Sequence, residues 1–143
     1  MDTPGQKTWM SADEYGRQMP AFTVNLLVRD VARSVAFYRD VFNATVHHSD
    51  ADFAAFRAGS LEFMIHADRA YEKHPWHAEL KSGVRRGLGA ELRLFHVEPA
   101  EVEKRARAAG ARILQPTQDK PHGWRDVIFE DPDGYTWAIG IPI

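Results

Sequence analysis

The chain is predicted to be an α+β protein built from one βαβββ unit used twice. Three observations carry that prediction. Hydrophobic periodicity over residues 21–67 reads strand, helix, strand, strand, strand, and the same order returns over residues 90–143. The shift that lays Asp30 on Glu98 also lays Leu26 on Leu94 and Thr23 on Glu91. Halves of about 60 residues are each marginal alone, so the two are expected to fold as one unit around shared apolar surface.

Residues 1–20 precede this pattern as an appendage. Ser11 and Glu14 have capping-box spacing, so a short helix through Tyr15 and Arg17 is expected. Phe22–Val28 reads as the first strand. Asp30 suits a helix N-cap, and Val31, Val35, Tyr38 and Phe42 recur at helical spacing. Asn43 fits the residue after the helix, where a left-handed backbone is common. Strands follow at Ala44–His48, Phe53–Arg57 and Ser60–His66, with Gly59 in a turn.

Residues 68–89 join the halves. Pro75 and the glycines argue against one long helix, so a short helix with loops, or a lid, is expected. The second unit opens with Glu91–Val97. Glu98 takes the N-cap place and Pro99 the first turn, where proline is tolerated. Val102, Ala106 and Ala109 line one helix face and Gly110 ends it. Strands at Arg112–Gln115, Arg125–Phe129 and Tyr135–Ile141 complete the repeat. In the last strand Tyr135, Trp137 and Ile139 form a large apolar face. Thr136, Ala138 and Gly140 leave the other face nearly bare.

Composition excludes several functions. The 143 residues carry 18 basic and 20 acidic side chains, a net charge of −2, with no basic block, so no nucleic-acid partner is expected. There is no cysteine, which rules out disulfides, thiolate nucleophiles and cysteine-bound metal. The first 20 residues lack the apolar core of a signal peptide. No apolar stretch approaches the roughly 20 residues of a membrane span. A cytoplasmic protein without a membrane partner is the expectation.

The segments NLLVRDVARSVAFYRDVF, LEFMIHAD after its glycine turn, AEVEKRARAAGARIL and PHGWRDVIFEDPDGYTWAIG resemble the vicinal oxygen chelate superfamily over residues 21–143. That superfamily includes glyoxalase I, extradiol dioxygenases, fosfomycin-resistance enzymes and bleomycin-resistance proteins. The resemblance implies paired βαβββ modules that form a cupped mixed β-sheet with helices packed outside. In metal-dependent members four cup positions hold a divalent ion, which stabilises an oxyanion of the substrate. They usually carry histidine near the start of each module's first strand and glutamate on each module's last strand. Here the histidine positions fall on Thr23 and Glu91, and the second glutamate position on Ala138. The remaining position is open among Glu62, Met64 and His66. At best two of four ligands remain, so neither metal nor other cofactor is expected.

In character the chain is closest to the metal-free bleomycin-resistance branch, whose members bind a drug in a groove shared by two subunits. The resemblance therefore implies a homodimer that binds a small molecule, such as an antibiotic-like compound, in the cup. The expected lining is Thr23, Asn25, Glu62, Met64, His66, Glu91, Arg93, Phe95, Trp124, Thr136 and Ala138. The alternative is a lyase, isomerase or dioxygenase with an altered metal site, using Glu91 with Glu62 or His66. A metal-free enzyme with His66 or Glu62 as general base is a third reading. Arg85 and Arg86 read as solvated charges, Trp76 as a groove aromatic, and His47 and His48 as neighbours on opposite strand faces.

Overall fold

A computed structural model describes residues 9–143. The first eight positions of the amino-terminal appendage lie outside the described residues. The elements in order are α1 (Ala12–Gln18), β1 (Val24–Val28), α2 (Val31–Phe42), β2 (Thr45–Ser49), β3 (Phe53–Ala58) and β4 (Leu61–Ala67). A 3-10 turn (Asp68–Tyr71) and α3 (His77–Lys81) form the connection. Then come β5 (Glu91–Phe95), α4 (Pro99–Ala108), β6 (Ile113–Lys120), β7 (Trp124–Glu130) and β8 (Thr136–Pro142).

Local chemistry sets the helix ends. The Ser11 hydroxyl accepts from Glu14 N–H and the Glu14 carboxylate from Ser11 N–H, a complete capping box. The Asp30 carboxylate accepts from Arg33 N–H at 3.1 Å and starts α2. Asn43 ends it at φ 52°, one of two non-glycine residues with positive φ among those described. Glu98 caps α4, with Pro99 in its first turn.

Each module makes a four-stranded mixed sheet, in the orders β1-β4-β3-β2 and β5-β8-β7-β6. In both, the first strand pairs parallel with the last and the other pairs are antiparallel. No ladder joins the sheets among the described residues. They share a core instead. Leu26, Phe56, Phe63 and Ile65 of the first sheet and Leu94, Phe129, Trp137 and Ile139 of the second bury against α2 and α4 in one cluster. Tyr38 of α2 is fully buried between them, its ring 5.1 Å from Phe63 and 5.9 Å from Trp137.

The Asp131-Pro132-Asp133-Gly134 turn pins the modules together. Tyr38 Oη donates to Asp131 Oδ2 at 2.5 Å, and Trp137 Nε1 donates to Tyr38 Oη at 3.2 Å. Asp133 accepts from Arg29 N–H at 2.9 Å and from Ser34 Oγ at 3.4 Å. Burial raises the Asp131 carboxyl to about 6, although the hydrogen bond from Tyr38 and backbone N–H groups pull it down. Because both sheets turn their apolar faces inward, their polar faces look outward from opposite sides of the core.

Several expectations need correction. Thr23 lies just before β1, and its hydroxyl donates to the Glu62 carbonyl at 2.8 Å. The sixth strand runs past Gln115 to Lys120. It sits at the sheet edge and carries two register irregularities, which is where Pro116 can be accommodated. Ala109 is the exposed C-cap of α4 and takes no part in its buried face. A register shift between Val46 and His48 puts both histidines of β2 on the polar face. Arg86 is not solvated: it is 4% exposed and forks onto Asp68 at 2.7 and 2.6 Å, with Nη1 also donating to the Leu27 carbonyl. Trp76 is mostly exposed, its ring tilted against His74 at 4.7 Å. Among the described residues no helix is long and apolar enough to cross a membrane.

Candidate functional site

The polar face of the first sheet is crowded. Asn25 of β1 sits beside Met64 of β4, and Leu27 beside His66. Strand alternation sends Asn25, Glu62, Met64 and His66 to this face, while Leu26, Phe63 and Ile65 go to the core. His66 Nδ1 lies 2.7 Å from Asn25 Oδ1, and Asn25 Nδ2 donates to Tyr71 Oη at 2.6 Å. His47 Nε2 meets Glu62 Oε2 at 3.0 Å. Burial lowers the His66 basicity, with Asp50 opposing it.

Segments outside the module cover this face. Trp9 stacks on His48 at 4.6 Å, and Tyr15 of α1 meets Phe53 edge-on at 5.6 Å. Cavities of about 340 and 330 Å³ remain on either side of Trp9. The first is bordered by Tyr15, His47 and Glu62, the second by His48, Phe53 and His66. The Tyr15 hydroxyl is buried without a partner among the described residues, and burial raises its pKa.

The polar face of the second sheet is open. Glu91, Arg93 and Phe95 project from β5, with Phe95 48% exposed. Their register partners on β8 are Thr136, Ala138 and Gly140. This small-residue strip is a floor, and larger neighbours flank it. A Cβ at Gly140 would fall 2.3 Å from the Arg125 carbonyl and 2.8 Å from Trp124 Nε1, so only glycine fits under that indole. Trp124 meets Phe95 edge-on at 4.9 Å.

A buried carboxylate anchors this face. Asp126 is 1% exposed and accepts from Gln115 Nε2 at 3.2 Å. Lys120 Nζ stands 3.8 Å from it and Arg93 Nη1 4.0 Å, while Arg93 also pairs with Glu91 at 2.6 Å. Sequence reasoning missed Asp126 and Lys120. Alternation in β7, with Trp124 outward, was the signal that pointed to Asp126.

Register also resolves the open fourth position. Asn25 pairs with Met64 as Arg93 pairs with Ala138, so Met64 is the counterpart of Ala138. The four positions are then Thr23, Met64, Glu91 and Ala138. Only Glu91 has a hard ligating group, and Arg93 already engages it, so this donor set does not fit a divalent ion. Of the alternative ligands, Glu62 pairs with His47, and His66 bonds Asn25 through Nδ1. No group of three or more histidine or carboxylate side chains suited to a metal occurs among the described residues.

Clefts of about 690 and 670 Å³ flank α2. Asp131 and Asp133 border the first, but their oxygens are taken by Tyr38, Arg29, Ser34 and backbone N–H groups. Nothing there converges on a ligand.

Comparison with known proteins fits this geometry. Residues 21–139 match the profile of the Glyoxalase/Bleomycin resistance protein/Dioxygenase superfamily. An uncharacterized protein of Mycobacterium bovis is 29% identical over 133 residues, covering 87% of this chain and 84% of that one. A glyoxalase/bleomycin resistance protein/dioxygenase family enzyme from Burkholderia phytofirmans superposes with a TM-score of 0.70 at 23% identity, covering 85% and 97% of the two chains. A fosfomycin resistance protein from Listeria monocytogenes gives 0.65 at 19%, covering 87% and 94%.

Proposed function

The chain belongs to the Glyoxalase/Bleomycin resistance protein/Dioxygenase superfamily, and from that premise we propose that it is a cytoplasmic, metal-free binding protein. It holds a small, partly aromatic or amphipathic molecule, antibiotic-like in character, between two copies of the chain. One observation carries the reading: the positions that would hold a metal are Thr23, Met64, Glu91 and Ala138, and Glu91 is paired with Arg93. The family chelate cannot form from that set.

The second sheet supports the choice of ligand. Ala138 and Gly140 make room, Phe95 and Trp124 offer aromatic edges, and Arg93 and Lys120 offer donors to a polar group. Among the described residues the outward face of the second sheet has no cover from its own chain, so in this reading it closes over a ligand against a second copy, and the protein is a homodimer.

Elemental analysis of tag-free protein after incubation with Mn, Fe, Co, Ni and Zn tests it first. Less than a tenth of an equivalent per chain, on the order of background, together with a dimer on gel filtration, is the expected result. A stoichiometric metal, or a clean monomer at micromolar concentration, would overturn it. Ligand screens would then follow indole fluorescence, with Arg93→Ala and Trp124→Ala as the variants expected to lose binding.

A further inference from the structure

The first sheet holds a histidine in a single tautomer. Asn25 spends its N–H on Tyr71 Oη at 2.6 Å and so turns its carbonyl oxygen to His66 Nδ1 at 2.7 Å. A neutral imidazole has one donor and one acceptor, so the proton sits on Nδ1 and Nε2 carries the lone pair. Nε2 has no hydrogen-bond partner among the described residues. The ring is wedged between Phe53 at 4.9 Å and Tyr71 at 5.0 Å and borders the 330 Å³ cavity roofed by Trp9 and Met10. A histidine kept only for packing has no need of a fixed tautomer at the border of a cavity.

A second histidine borders the same cavity. His48 Nε2 lies 2.9 Å from Asp50 Oδ2, while Asp50 Oδ1 accepts from the N–H groups of Asp52 and Phe53. Burial works against the Asp50 charge, but those hydrogen bonds outweigh it and hold its carboxyl below the usual range. An anchored carboxylate orients the imidazole and holds its proton on Nε2, so Nδ1 of His48 is an acceptor.

We propose that this chamber is a metal-independent general-base site for a small, flat carbon acid, with His66 Nε2 removing the proton. It needs neither the second sheet nor a partner chain, so it stands or falls apart from the shared-cup reading. Asn25 is a positioning residue that acts through His66. The groups facing His66 are His48 and Asp50 beyond β2, Tyr71 of the 3-10 turn and Asn25 of β1. Burial favours its neutral form, the form a base requires.

The probe is 5-nitrobenzisoxazole with the full chain. His66 Nε2 takes the ring C–H proton, the C–H pair completes a nitrile, and the N–O bond breaks to leave a coloured phenolate. Water then collects the proton from His66. The expected rate exceeds that of free imidazole at equal concentration by roughly 100-fold. The rate rises with pH and levels off below the midpoint of free imidazole. His66→Gln keeps an amide N–H for Asn25 and is expected to abolish the excess rate with the far-ultraviolet spectrum unchanged. Asn25→Asp, which stabilises the imidazolium, is expected to move the midpoint upward. A rate no better than imidazole, a rate retained in His66→Gln, or an unmoved midpoint in Asn25→Asp would overturn the proposal.

Discussion

The two polar faces come from the same βαβββ unit, yet one is covered and the other bare. On the first, Trp9, Tyr15 and Tyr71 lie over the strands, and the groups of Asn25, His47, Glu62 and His66 bond within the face or to its cover. On the second, Arg93, Phe95 and Glu91 stand toward solvent around a buried Asp126. The difference does not come from the strands. It comes from what precedes and follows the first module: α1 on one side and the connection held by Arg86 on the other. A repeated module thus yields two unlike surfaces because α1 and the connection, among the described residues, fold back over the first copy.

The largest break in that comparison is expected from Arg86→Ala. It leaves Asp68 without its bidentate partner and frees the Leu27 carbonyl, at a cost of about 3–5 kcal/mol. Hydrogen exchange should then rise along β1 and around Asn25 more than along β8. Equal exposure of both sheets would mean that Arg86 does not hold the cover.

Next comes Asp131→Asn, which probes the joint beneath both faces. The folded Asp131 carboxyl, at about 6, lies above its ordinary value of 3.8. A raised carboxyl binds more protons folded than unfolded, so its contribution is fully present below 3.8 and is lost as pH rises through 6. At 1.36 kcal/mol per unit, the native protein should lose about 3 kcal/mol from this group between acid and neutral pH. Denaturant midpoints across that window should show a shallower decline in the Asn variant. An identical decline would assign the pH dependence elsewhere.

Gly140→Ala tests the bare face directly. The new methyl meets the Arg125 carbonyl and the Trp124 indole, and a loss of about 1–3 kcal/mol is expected, with a shift in indole emission. The smallest effect belongs to Ser11→Ala. Removing the α1 cap should cost about 1 kcal/mol and loosen Trp9 from His48 while leaving the second sheet untouched. A change in Trp124 emission in that variant would mean that the faces are coupled.

The capping and turn signals were legible in the chain. Asp30, Glu98, Ser11 with Glu14, Gly59 and Asn43 each mark an element boundary through their own backbone or side-chain chemistry, and each stands where the sequence placed it. Alternation assigned Asn25, Glu62, Arg93 and Phe95 to the polar faces, because a strand offers only two sides. Alternation failed at His48, where the register shift in β2 put adjacent residues on one side. Composition alone could not show that Arg86 is buried, since burial of a guanidinium depends on a carboxylate brought from another part of the chain.

By itself, then, the sequence determined the order of the strands and long helices, most of their ends and the face most strand side chains take, since these follow from interactions a few residues apart. The tertiary structure decided the rest. It matched Met64 to Ala138, seated Trp9 on His48, brought Asn25 to His66 and turned the two polar faces away from each other. Each of these depends on strand register or on packing between distant segments. Such pairings are selected by the whole core at once, and no local pattern along the chain encodes them.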